Sequence, residues 1–503
     1  MININDVFKS FSKQESREFI MFLKRHYKPS WRKDIALYKL LRKNEALSTK
    51  QIILKLYGDR KQQEAYYQLK RRLKTQLETY ILTIGDRTDI KTDILKNLTI
   101  AEYYFKKNMN QFGWHYLIYA EKEASSAQLY SLLNFVYRLQ IEYIDKDFAP
   151  KLNTVIRKIK QNTSLADLAI KINIAGKLIS EKISKSRIES KKINIDYLLS
   201  NALKRSGINP KLIADKHTRL YYNMILVISE AMFYKNELIT LEPYLIEQYN
   251  KLKTNGFFNS HSYQEQTDFL YKICLTNLKN KHFDSLETFL EEYFNLLVKE
   301  KKINGPLFQG YAILKMGHYM FTNQNKQAIL LINDLLSNIK IKLNKAQKIL
   351  INLNLSIAYF QTEDFEEALN IYLKIQLPEK KFIERMGIKG EFNKRLYECL
   401  IHFELKNVEL VNSLIKSIER KFKTNLQANV FIREASFLKF FKEINNNINI
   451  LSDEVFQKRI IDFTQNKTIN IGNEEIINFD AWLLAKIKKK EYAIVLSELV
   501  KTA

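Results

Sequence analysis

The sequence predicts an all-α fold, with a compact N-terminal helical module followed by a helical-repeat solenoid. Glycine and proline are scarce, 12 and 6 in 503 residues, so few positions punctuate the chain. No strand-like alternation bounded by turn clusters recurs, whereas apolar residues return at helical spacing. At 46% hydrophobic and 27% charged, the chain is ordinary globular material, long enough for more than one core.

The first region, 1–88, reads as a basic helical module. Ser12-Lys13-Gln14-Glu15 is a capping box, in which the hydroxyl takes an orphan helix N–H and the Glu reaches back. It predicts a helix to about His26 with Phe19, Phe22 and Leu23 on one face. A second helix starts near Asp34 and carries Ile35, Leu37, Tyr38 and Leu41. Ser48-Thr49-Lys50-Gln51 is another box, with Leu47 and Ile52 placed as a hydrophobic staple; its helix carries Ile52, Ile53 and Leu56 and stops at Gly58. A longer helix from about Arg60 sets Ala65, Leu69, Leu73, Leu77 and Ile81 at four-residue steps, and Gly85 ends it.

The charge balance is 81 Lys+Arg against 55 Asp+Glu, or +26. An excess of this size suits an acidic partner such as nucleic acid. Richness in Ile, Asn and Lys, as in Ile444-Asn445-Asn446-Asn447-Ile448-Asn449-Ile450, raises lysine without any binding role, so position says more than the sum. Residues 1–85 hold 19 Lys+Arg and 8 Asp+Glu, a net +11, against 62 − 47 = +15 for all the rest. Lys24, Arg25, Lys28, Arg32 and Lys33 surround Tyr27 and Trp31, a mixture suited to phosphate and base contacts. Lys70, Arg71 and Lys74 share one helix face, with Arg72 on a flank. The helices at about 34–43, 48–57 and 60–83 are similar to a helix-turn-helix trio, although no wing-like strand pair follows Gly85. Arg32, Lys33, Lys70, Arg71 and Lys74 are therefore the candidate contacts to nucleic acid or an acidic partner. The competing reading is a plain solvated face.

Beyond this module, 89–445 repeats itself weakly, with helix pairs starting soon after residue 90. Leu241-Glu242-Pro243-Tyr244-Leu245-Ile246-Glu247 matches Leu286-Glu287-Thr288-Phe289-Leu290-Glu291-Glu292 in type at an offset of 45, and Pro243 is read as able to open a helix. The same slot returns at Ala328, Ala368 and Val411, at spacings of 42, 40 and 43, each after a short polar turn. A similar turn, Lys107-Asn108-Met109-Asn110-Gln111-Phe112, lies far upstream. The clearest unit is Leu355–Tyr372, whose small and aromatic residues at Ser356, Tyr359, Ala368 and Tyr372 resemble a tetratricopeptide repeat in order and spacing. It departs from that family at Asn352, where Trp is frequent, at Ile375, where Ala is favoured, and at Lys380, where Pro is favoured. The spacing is also longer than the family's 34 residues. The resemblance implies a degenerate α-solenoid in which those four residues pack helices together and the concave face binds a protein or peptide. From 446 to 503 the pattern breaks; a capping segment ends in one helix from about Asp480, with Trp482, Leu483, Ile487, Ile494, Val495 and Leu499 as its apolar residues.

Catalytic signatures are missing: there is no Gly-rich phosphate loop, no H-E-x-x-H, no cysteine pair at metal spacing and no G-x-S-x-G. His282-Phe283-Asp284 falls at a repeat turn, and Glu189-Ser190-Lys191 lacks a strand to carry it, so neither reads as catalytic. Cys274 and Cys399 sit in apolar helical runs as buried thiols. No apolar run reaches the length of a membrane span, and Met1–Asp6 has no basic n-region. The expectation is a cytoplasmic, non-enzymatic scaffold or adaptor without cofactor or metal, binding another protein. The alternative is a nucleic-acid-binding regulator that uses the basic module, with the solenoid as sensor or dimerisation domain.

Overall fold

The computed structural model describes residues 4–11, 13–25, 33–42, 47–59, 61–84, 90–189, 194–208, 217–235, 237–259, 262–300, 306–337, 343, 345–375, 377–427, 431–465 and 477–501. The fold is all-α, and no strand occurs among the described residues. The chain divides into two compact units, 1–158 and 159–503. Arg32, the Ser12 box, Trp31, Tyr27, Lys28 and Gly85 lie outside the described residues.

The first unit begins with α1 (Ile4–Ser10), α2 (Lys13–Arg25), α3 (Lys33–Arg42), α4 (Thr49–Tyr57) and α5 (Gln63–Ile84). The Ser48 box forms as read: Gln51 N–H donates to Ser48 Oγ at 3.4 Å, and Ser48 N–H donates to Gln51 Oε1 at 2.8 Å. Gly58 takes φ 72° and closes α4 by donating its N–H to the Leu54 carbonyl, a left-handed conformation open to glycine without a Cβ clash. Aromatic rings fill the core between these helices: Phe8, Phe19, Tyr38 and Tyr80 are buried with centroids 4.9–5.8 Å apart. Along α5 the core face runs Tyr66, Leu69, Leu73, Leu77 and Tyr80. The expected Ile81 is instead 49% exposed. Four-residue steps rotate about 40° each, so a face that stays on the core must mix steps of three and four.

The unit continues with α6 (Ile90–Lys106), α7 (Asn110–Ser126) and α8 (Tyr130–Glu142), then the start of α9 (Leu152–Glu189). Helices α6 and α7 are the first antiparallel pair.

The second unit carries the rest of α9, then α10 (Ile195–Arg205), α11 (Thr218–Lys235), α12 (Leu238–Thr254), α13 (Tyr263–Asn280), α14 (Phe283–Lys299), α15 (Pro306–Phe321), α16 (Asn325–Ser337), α17 (Lys345–Gln361) and α18 (Phe365–Leu373). After them come α19 (Glu379–Glu404), α20 (Val408–Lys421), α21 (Lys423–Gln427), α22 (Ile432–Asn446), a 3-10 turn (Ile448–Ser452), α23 (Glu454–Gln465), α24 (Phe479–Lys488) and α25 (Tyr492–Lys501). From α11 to α20 each helix packs on its sequence neighbours, the order expected when short turns force successive helices to run antiparallel.

One turn geometry recurs in both units. Asn108, Lys281, Asn323, Glu363 and Lys406 all take φ between 55° and 66°. The next residue then donates its N–H five positions back: Met109 to Tyr104, His282 to Asn277, Gln324 to Tyr319, Asp364 to Tyr359 and Asn407 to His402, at 2.7–3.1 Å. This bond ties down a helix C-terminal carbonyl while the left-handed residue reverses the chain. Four residues later stands the slot that marked the repeat: Leu286, Ala328, Ala368 and Val411 each donate to the turn residue's carbonyl at 2.9–3.2 Å and are fully buried. Leu241 does the same with Glu237. The repeat seen in the sequence is thus a repeated turn. Its period exceeds 34 because the helices are long: α13 and α14 alone span 18 and 17 residues.

Two expectations change. Pro243 does not open α12 but lies in its second turn, after a start at Leu238. The terminal segment is not one helix but the hairpin α24–α25, broken at Lys489, which adopts φ 51°. This hairpin packs far back in the chain: α25 contacts α15, Tyr492 meets Phe360 at 5.8 Å, and Trp482 meets Phe403 at 5.5 Å.

Candidate functional site

In the first unit, the cations predicted from sequence fall on and beside the solvent face of α5. Lys70 is half-buried at its edge, Arg71 and Lys74 are exposed, and Lys74 pairs with Glu78 at 3.6 Å. That exposed pair contributes at most about 1 kcal/mol. Neither Lys70 nor Arg71 has an acidic partner among the described residues. Lys33, at the first turn of α3, places its Nζ 4.1 Å from the centroid of the Tyr57 ring at the end of α4. Burial raises the Tyr57 phenol above its ordinary pKa, and the nearby Arg72 charge opposes that rise. Three helices thus bring Lys33, Tyr57 and Arg72 together, a grouping that no sequence spacing announces. Tyr67 was also missed, although its position three and four residues before Lys70 and Arg71 was readable; it is 52% exposed on the same face.

In the second unit, Ser356 does more than leave room. Its Oγ donates to the Ala368 carbonyl at 2.7 Å and lies 2.9 Å from the Tyr397 hydroxyl, joining α17 to α18 and to α19. Tyr372 donates to Glu398 at 3.0 Å, and its ring meets Tyr397 at 6.0 Å. Tyr359 is half-buried against the same core and supplies the carbonyl that receives the turn bond from Asp364. Ser356 and Tyr372 thus tie this helix pair to α19, whereas Tyr359 and Ala368 supply carbonyls within the pair. Ser356→Ala should cost about 1–3 kcal/mol in urea unfolding, because it strands buried polar partners. Thr362→Ala, on the exposed turn, should change little.

Among the described histidines, His282, His318 and His402 occupy structural positions. His282 bonds the Glu242 carboxylate at 2.9 Å, and Asn280 donates to the same group at 2.6 Å, linking the 237 and 282 repeat turns. His318 is buried; desolvation and the adjacent Lys315 charge depress its pKa, and Glu287 only partly offsets them. Burial depresses His402 as well. For a base whose folded pKa is lowered, the unfolded chain binds more protons below its own pKa of about 6.5. Stability is therefore full above that value and is lost as pH falls through it. The melting temperature should drop between pH 7.5 and 5.5, and His318→Gln should flatten the drop; an unchanged slope would refute the assignment.

Burial also raises both thiols, Cys399 to about 12, so neither is a ready nucleophile. Among the described residues no group of three or more His, Cys, Asp or Glu could hold a metal ion, and no helix is long and apolar enough to cross a membrane. A scan against protein-family models finds no match to this chain, and a search of curated proteins finds none either.

Proposed function

We propose that the protein is a non-enzymatic scaffold whose helix pairs form a degenerate tetratricopeptide-like array holding another protein or an exposed peptide segment. The observation that carries this reading is the repeated turn at residues 282, 324, 364 and 407, which closes each helix pair and sets a buried slot residue at the start of its second helix. The two helices of a pair also differ in exposure. Among the described side chains α11 and α15 carry no fully exposed one, whereas α12, α14 and α16 each present an exposed face. Such a division suits an inner layer that lines a binding surface and an outer layer that meets solvent. Lys235 on α11 and Lys315 on α15 are half-buried members of the inner layer. Crosslinking the full-length protein in its own cells should join a recurrent protein partner to these lysines. Crosslinks confined to residues 4–84, or no recurrent protein, would remove the reading.

A second reading, a nucleic-acid-binding regulator, is favoured by a separate observation: Lys70 and Arg71 stand without acidic partners among the described residues, in a stretch of 85 residues with a net charge of +11.

A further inference from the structure

The solvent face of α5 combines a ring with cations in an order that the core does not require. Tyr67 meets Tyr66 edge-on at 5.4 Å, a contact that braces its ring while half of its surface stays open. At about 100° per residue, Lys70, Arg71 and Lys74 fall within about 60° of Tyr67 around the helix. Arg72 lies about 140° round the helix from Tyr67, on the flank where Lys33 stands over Tyr57. Like charges gathered around one ring repel each other, and an anion placed among them relieves that repulsion. No ion pair with an acidic side chain within 4.0 Å involves Lys33, Lys70, Arg71 or Arg72 among the described residues.

We propose that this face binds single-stranded nucleic acid, with a base stacked on Tyr67 and phosphates held by Lys70, Arg71 and Lys74. The inference rests on the nucleic-acid reading above and names its ligand class. Duplex recognition by a helix-turn-helix uses the first residues of the third helix, inserted into the major groove. Here the first turn of α5 carries Gln63 and Glu64, and its cations begin two turns further along a 22-residue helix. Cations in mid-helix beside an exposed ring instead form a surface along which a strand can lie, the arrangement used where bases stack and phosphates are tracked.

The test is fluorescence anisotropy on the full-length protein with a labelled mixed-sequence single strand of about 16 nucleotides, and with its duplex. The single strand should bind at least about tenfold more tightly, with affinity falling on a log–log salt plot by about 0.7 per phosphate contacted. Tyr67→Ala should weaken single-strand binding roughly 5- to 100-fold, with Tyr67→Phe retaining it and duplex binding unmoved. Replacing Lys70 and Arg71 together by Ala should reduce the salt slope by about 1.4. These side chains are exposed or at the edge of the face, and unchanged melting temperatures would show that the variants fold. Duplex binding equal to or tighter than single-strand binding, or indifference to Tyr67→Ala, would overturn the single-strand assignment and leave the nucleic-acid reading standing. No binding of either at low salt would overturn both.

Discussion

Trp482→Ala should destabilise the second unit by about 3–5 kcal/mol, the cost of deleting a large buried aromatic whose surroundings collapse only partly. Trp482 is 1% exposed and lies among Phe403, Phe437 and Phe441 at centroid distances of 5.5–6.0 Å. Its indole N–H donates to Glu404 Oε1 at 2.7 Å, and Lys486 reaches the other oxygen of that carboxylate at 2.6 Å. Removing the ring therefore opens a cavity between α19, α22 and α24 and takes a donor from a carboxylate that is mostly buried. Denaturant unfolding of the full-length protein would measure the loss, and hydrogen exchange should show protection falling first in 479–501. A change below about 1 kcal/mol would mean that the terminal hairpin is not part of this core.

Asp480→Ala should cost about as much, for an electrostatic reason. Asp480 pairs closely with Arg433, and both are buried, so truncation removes a carboxylate that balances the guanidinium away from water. The Arg433 head lies 5.2 Å from the centroid of Phe463, whose face can offset only a fraction of a full charge. Breaking such a pair from one side costs about 3–5 kcal/mol, whereas replacing both members by apolar residues of similar volume is often neutral. The double variant Arg433→Met with Asp480→Leu should therefore recover most of the stability lost in Asp480→Ala. If the double variant is no more stable than the single, the penalty is lost packing and not a stranded charge.

Much of the fold is legible because its determinants are local. The Ser48 box, the Gly58 stop and the turns at 282, 324, 364 and 407 each depend on residues a few positions apart, so their spacing survives in the linear sequence. What failed also has a local cause. Ile81 continues a four-residue rhythm on paper, but Tyr80 takes the core position and donates to the Glu15 carbonyl at 3.1 Å. The terminal hairpin reads as one helix because its left-handed residue, Lys489, lies in the run Lys488-Lys489-Lys490, which has no Gly, Asn or Asp to mark a turn. The candidate α5 face is half legible: Lys70, Arg71 and Lys74 stand out by spacing, whereas the exposure of Tyr67 beside them and the contact of Lys33 with Tyr57 need the packed helices.

By itself the sequence determined the all-α class, the period of 40–45 residues and the cationic bias of its first 85 residues, since each is a property of composition or of near neighbours. Only the tertiary structure decided that Ser356 bridges three helices, that Trp482 and Tyr492 reach back to α19 and α17, and that Lys33 stands over Tyr57. Those contacts join residues far apart in the chain. Their partners are chosen by how helices of particular lengths and crossing geometries dock, which no local pattern encodes.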